Sequence, residues 1–179
     1  MSYETQNKLY DNIASHTHQQ LVEIDDALNG SGEFDLRMKF CLLLGTYVKR
    51  CSNLMLTADK NKLVSTDELY LSISESFENM GFLGVDCEVI RAASKMLPPA
   101  LLIAAYDLFE AVIETVLDTV CAFSVRIMPS ENVLMTIETD SLSPDVERLR
   151  VSLPQLRLSS FVEDDIRHLT LSIGGDGNE

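Results

Sequence analysis

Two histidines stand two residues apart near the N-terminus, in Ala14-Ser15-His16-Thr17-His18. An imidazole can move a proton or ligate a metal. On a helix this spacing sends the pair to different sides, a poor start for a metal site, and none is expected. A second chemically suggestive set is acidic: Asp107, Glu110, Glu114 and Asp118 follow at spacings of three, four and four. On one helix they form a ridge that repels an anionic ligand unless a cation intervenes. The same spacing also describes the solvated face of an amphipathic helix. Cys41, Cys51, Cys87 and Cys121 sit among apolar residues with no CxxC pair, as small hydrophobes in a reducing compartment do. GxSxG, HExxH, GxxxxGK[ST] and GxGxxG motifs are all absent from the chain. Gly174-Gly175-Asp176-Gly177 resembles a phosphate loop in composition only, since a flexible end follows rather than a helix.

The elements that must carry these residues centre on Pro98 to Asp140. The two prolines suit a helix start, where a missing N–H costs nothing. Leu101, Leu102, Ala105, Leu108, Phe109, Val112, Ile113, Val116 and Leu117 then give a strongly apolar face. Cys121 to Ile127 and Val133 to Ile137 alternate as two strands around Pro129-Ser130-Glu131-Asn132. Upstream, one helix is expected from Tyr3 to Leu28, stopped by Asn29-Gly30-Ser31-Gly32, and a second from Phe34 to Asp59. Phe40, Leu43 and Leu44 make the second helix more apolar than one partner requires. The excess would be covered by a second copy, giving a dimeric four-helix bundle, or by the following domain.

Lys60 to Val64 reads as a linker, dividing a helical hairpin at residues 1–62 from an α/β unit at 63–179. Ser65-Thr66-Asp67-Glu68 fits a capping box opening a third helix, with Leu69, Ile73, Phe77 and Met80 on its buried face and Gly81 at its end. Val85, Cys87 and Val89 alternate as a strand, and Pro144 to Leu153 suits a short helix. Two further strands, Leu156 to Val162 and Ile166 to Ile173, flank a turn at Glu163-Asp164-Asp165, and the tail from Gly174 to Glu179 is expected to fray. The fold class is α+β, with an N-terminal antiparallel helical hairpin preceding an α/β sandwich.

Composition excludes some partners. The 179 residues are 46% hydrophobic and 23% charged, enough for a buried core. A net charge of −14 disfavours nucleic acid and anionic membranes, which attract Lys and Arg. It also disfavours polyphosphates that come without a metal. No signal-peptide pattern and no run of membrane-spanning length occur, so a cytoplasmic location is expected.

Three stretches carry a resemblance. Asn12-Ile13-Ala14-Ser15-His16-Thr17-His18-Gln19-Gln20-Leu21 resembles an R-I-H-D-x-x-G-Q-x-L signature, with Gln19 and Leu21 on its Q and L. Phe77-x-x-Met-Gly-Phe-Leu-Gly-Val85 and Leu97-Pro98 resemble the approach to a nucleotide site, and Glu110-Ala111-Val112-Ile113-Glu114 falls on an E-A-x-x-N motif. These belong to bacterial sensor histidine kinases, in which a dimerising, phosphoaccepting hairpin precedes an ATP-binding domain.

The departures are as informative as the matches. Ala14 and Ser15 stand where that family has its phosphoaccepting histidine and acid, leaving His18 or His16 as the acceptor candidates. Glu114 replaces the Mg²⁺-coordinating asparagine. Glu138-Thr139-Asp140-Ser141-Leu142-Ser143 replaces D-x-G-x-G, keeping only Asp140, and no glycine occurs from Val85 through Ile173. An ATP lid uses glycines to bring backbone close to phosphates. The resemblance therefore implies a histidine-kinase-like ATPase fold with a vestigial nucleotide site at Glu110, Glu114 and Asp140, binding neither ATP nor Mg²⁺. It implies a non-catalytic homodimer that binds a response-regulator receiver domain or an active kinase. The alternatives are a histidine phosphotransferase similar to that of the sporulation pathway, and a divergent active kinase using Glu114 and Asp140.

Overall fold

The structure, a computed structural model, describes residues 3–130 and 132–174. Glu131 of the expected turn and residues 175–179 of the expected frayed tail lie outside them. Gly174 itself is tied down, its N–H donating to the Gln155 carbonyl at 2.6 Å.

The elements run α1 (Tyr3–His16), α2 (His18–Asn29), α3 (Phe34–Lys60), β1 (Val64–Ser65), α4 (Thr66–Phe82), β2 (Asp86–Arg91), β3 (Met96–Leu97), α5 (Pro99–Val116), β4 (Ala122–Ile127), β5 (Val133–Thr139), a 3-10 turn (Pro144–Arg148), β6 (Leu156–Glu163) and β7 (Ile166–Ile173). Five strands form one sheet in the order β2-β4-β5-β7-β6. The β2–β4 pair is parallel and the others are antiparallel. Parallel neighbours need a crossover, and α5 supplies it. β6 and β7 close through Asp164 and Asp165, whose φ values of 49° and 61° suit a two-residue hairpin turn.

Helices α4 and α5 cover one face of the sheet. Phe77 from α4, Phe109 from α5 and Phe123 from β4 meet edge to face with centroids 5.5 to 6.0 Å apart. Offset contacts of this kind add to the area buried. Outside this layer lies α3, whose Leu43, Tyr47, Cys51 and Leu54 belong to the same buried apolar cluster as the sheet residues. Tyr47 stacks on Tyr106 at 5.5 Å, Asn79 donates to Thr46 Oγ1 at 2.7 Å, and Glu75 of α4 pairs with Lys49 and Arg50.

Several local expectations change. The single helix from Tyr3 to Leu28 is interrupted at Thr17. The buried Thr17 hydroxyl donates to the Ile13 carbonyl at 3.0 Å, which also accepts the Thr17 N–H at 3.1 Å. Back-bonding of this type bends helices. Gly81 does not end α4; the helix runs on to Phe82, and Gly84 reverses the chain at φ 83°. The short helix expected from Pro144 to Leu153 reaches only Arg148 and is 3-10 in form. The linker is not wholly irregular, because Val64 and Ser65 pair antiparallel with Leu97 and Met96. Most consequentially, Leu43, Tyr47, Cys51 and Leu54 on the wide apolar face of α3 pack with α4 and α5 within the chain, the second of the two coverings expected for that face. Of the four cysteines, all free, only Cys51 is fully buried, and Cys121 is exposed.

Candidate functional site

Helix α5 buries one side among apolar residues, yet its acidic ridge is not a solvated face. Asp107, Glu110 and Glu114 point at the N-terminal helices, and of the four ridge residues only Asp118 stays exposed. The interruption at Thr17 falls between the two histidines, whose surroundings differ. His16 Nε2 lies 3.1 Å from both oxygens of Asp107, while His18 is exposed at the start of α2.

Asp107 is the hub of the contact. It accepts a hydrogen bond from the Tyr47 hydroxyl at 2.8 Å and faces Cys51 Sγ at 3.8 Å. Tyr47 and Cys51 stand four residues apart on α3 and so reach the same point. Hydrogen bonding to Asp107, then to Cys51, pushes the His16 imidazole up to about 10, against its partial burial. Burial and the Asp107 charge push the Tyr47 phenol far up, so it remains a neutral donor.

The next turn of α5 adds two further carboxyls. Glu110 is 2% exposed, and its Oε1 has no hydrogen-bond partner among the described residues. Burial first, then Glu114, Asp107 and Glu23, hold it well above the ordinary carboxyl range. Glu114 accepts from Gln20 Nε2 at 3.5 Å. Burial and Glu23 push Glu114 up to about 7, with the Gln20 hydrogen bond opposing. A cavity of about 230 Å³ opens among His16, Gln20, Tyr47, Asp107, Glu110 and Glu114, and among the described residues no Lys or Arg lines it. Such a lining suits a cation and is hostile to a polyphosphate.

The structure brings together some of the expected site residues and keeps others apart. His16, Glu110 and Glu114 share the cavity, and His18 is not part of it. Asp140 lies elsewhere: its Oδ1 accepts the Cys121 N–H at 3.0 Å, and it lines a separate cavity of about 320 Å³ with Asp86, Glu88, Glu138 and His168. Among the described residues, none lines both cavities. Tyr47 and Cys51 went unnoticed as polar groups, because in the chain they read as part of an apolar face. The only sequence signal for them was their four-residue spacing.

No family model matches this chain, and no curated protein matches it. Among solved structures, it is similar to the histidine kinase domain of the blue-light activated histidine kinase from Erythrobacter litoralis, with 14% identity and a TM-score of 0.54 over 89% of this chain and 95% of that one. It is also similar to the Acinetobacter baumannii histidine kinase AdeS, at 13% identity and TM-score 0.46 over 94% and 98% of the two chains. A structure described as a bacterial phosphotransferase matches at 11% identity and TM-score 0.47, over 96% and 97%. The Erythrobacter likeness establishes a histidine-kinase-like fold, an α+β arrangement of helical N-terminal region and sheet.

Proposed function

We propose that this chain is a non-catalytic, histidine-kinase-like module of two-component signalling. It works in the cytoplasm as a homodimer that engages a response-regulator receiver domain or a partner kinase. One observation carries the non-catalytic reading. Glu110 and Glu114 face a cavity bordered by His16 of α1 and by Gln19 and Gln20 of α2, while Asp140 lines a different one, held by the Cys121 N–H. A nucleotide site needs these residues to converge on one ligand, together with donors for its phosphates. Among the described residues no Lys or Arg side chain lines the first cavity, which supports the same reading. Among the described residues no helix is long and apolar enough to cross a membrane.

Titration with Mg-ATP tests the proposal. The expected result is an unchanged melting temperature. A ligand present at about 100 times its Kd would add about 2.7 kcal/mol of stability, and a shift of that size overturns the non-catalytic reading.

A specific feature favours phosphotransfer as the second reading. His18 is exposed and meets no partner among the described residues, whereas His16 is held by Asp107. Incubation with a phosphorylated receiver domain decides between the two. The non-catalytic module gains no acid-labile phosphate, and a phosphotransferase gains it and loses it in His18→Ala.

A further inference from the structure

We propose that His16 Nε2, Cys51 Sγ and a carboxylate oxygen of Asp107 form a zinc site where α1, α3 and α5 meet. The three ligand atoms lie within 4.8 Å of one another. Zinc with bonds of about 2.0 to 2.3 Å places tetrahedral ligands roughly 3.3 to 3.6 Å apart. The observed separations of 3.1 Å for His16–Asp107 and 3.8 Å for Cys51–Asp107 bracket that range, and the His16–Cys51 pair, within 4.8 Å, closes by a side-chain adjustment of about an ångström.

The donor chemistry selects the ion. Thiolate and imidazole are poor ligands for Mg²⁺ and Ca²⁺ and good ones for zinc. Tyr47, donating to Asp107 Oδ1, orients the carboxylate from outside, as supporting hydrogen bonds do in metal sites.

A second, independent observation points to a cation. Glu110 is nine-tenths buried and more, its Oε1 lacks a partner, and it lines the same cavity as His16 and Asp107. A buried carboxyl without a donor is costly, and Glu114 and Glu23 add like charge around it. The cavity has room for a water as the fourth ligand, on the side that Glu110 lines. A divalent ion with a thiolate and a carboxylate is locally neutral, and it draws on the acidic surroundings that otherwise repel one another. Because the three residues come from distant parts of the chain, the His16–His18 spacing could not reveal the site. The inference goes beyond the signalling role and holds whether or not a nucleotide binds.

The test uses the full chain without an affinity tag, stripped of metal and titrated with Zn²⁺ against a chromophoric chelator. One equivalent per chain is expected, with His16→Ala weakening binding by about tenfold or more. His16 is 32% exposed at its side chain, so this variant spares the core, and circular dichroism checks that it folds. Co²⁺ in place of Zn²⁺ should give a tetrahedral visible spectrum with a thiolate charge-transfer band, which Cys51→Ser removes. If Cys51→Ser does not fold, the band in the unaltered protein and its weakening in Asp107→Asn carry the test. Sub-stoichiometric zinc, a cobalt spectrum without the thiolate band, or affinity unchanged in His16→Ala overturns the proposal. A stability gain with Mg-ATP leaves these readouts untouched, so the two failures are distinguishable.

Discussion

Glu110 and Glu114 lie one helical turn apart on α5, and both bind a proton more tightly than a free carboxyl. Burial is the leading cause for each, because removing a carboxylate from water disfavours its charged form. A group lifted in this way holds more protons folded than unfolded. Its contribution to stability is therefore complete below the ordinary value of 4.5 and, for Glu114, is lost as pH climbs through about 7. In chelator-treated protein, the urea midpoint should fall between about pH 5 and about pH 8, and Glu114→Gln should flatten that fall. A variant as steep as the unaltered protein would mean Glu114 titrates normally. The residues that can do chemistry were recognisable individually, His16, Glu110 and Glu114 among them. Tyr47 and Cys51 were not, since a hydroxyl or thiol within an apolar stripe declares itself only through the group it meets.

At the scale of the element, α4 shows how a helix end escapes sequence reading. Gly81 and Gly84 are three apart, and either is a reasonable terminator. Gly81 lies within the helix, whereas Gly84 takes the left-handed conformation, and an added Cβ meets nothing within 4 Å at either position. The two alanine substitutions should thus have opposite signs. Gly81→Ala should stabilise by roughly 0.5 to 1 kcal/mol through helix propensity. Gly84→Ala should destabilise by about 1 to 2 kcal/mol through its positive φ. Chemical denaturation of both variants checks the pair, and equal signs would contradict the observed helix end. Helix and strand identities were legible here because apolar periodicity is local. The interruption at Thr17 was not, since the threonine's burial is imposed only by neighbouring helices.

Across the whole molecule, α3 ties the hairpin to the sandwich. Its Leu43, Tyr47, Cys51 and Leu54 are spent on the cluster shared with α4 and α5, which weakens the simplest reason for a dimer. Apolar side chains remain exposed on the hairpin nonetheless, at Leu21, Leu28, Leu36 and Leu42. These are the residues through which the proposed homodimer would form. Sedimentation equilibrium should find a dimer for the unaltered chain and a monomer for Leu28→Asp. A monomeric unaltered chain would remove dimerisation from the proposed function. The docking also brings α1 and α2 over the acidic side of α5, where the kinase-type resemblance placed a nucleotide.

By itself the sequence determined the order and kind of nearly every element, because period and turn chemistry act over a few residues. It also determined the missing glycines and the acidic ridge, which are matters of composition. Only the tertiary structure decided what that ridge faces. Asp107 meets His16 across 91 positions and Cys51 across 56, and no local pattern encodes contacts at such separations. Which side of a helix is wet follows from what packs against it, and the N-terminal helices, not solvent, pack against this one.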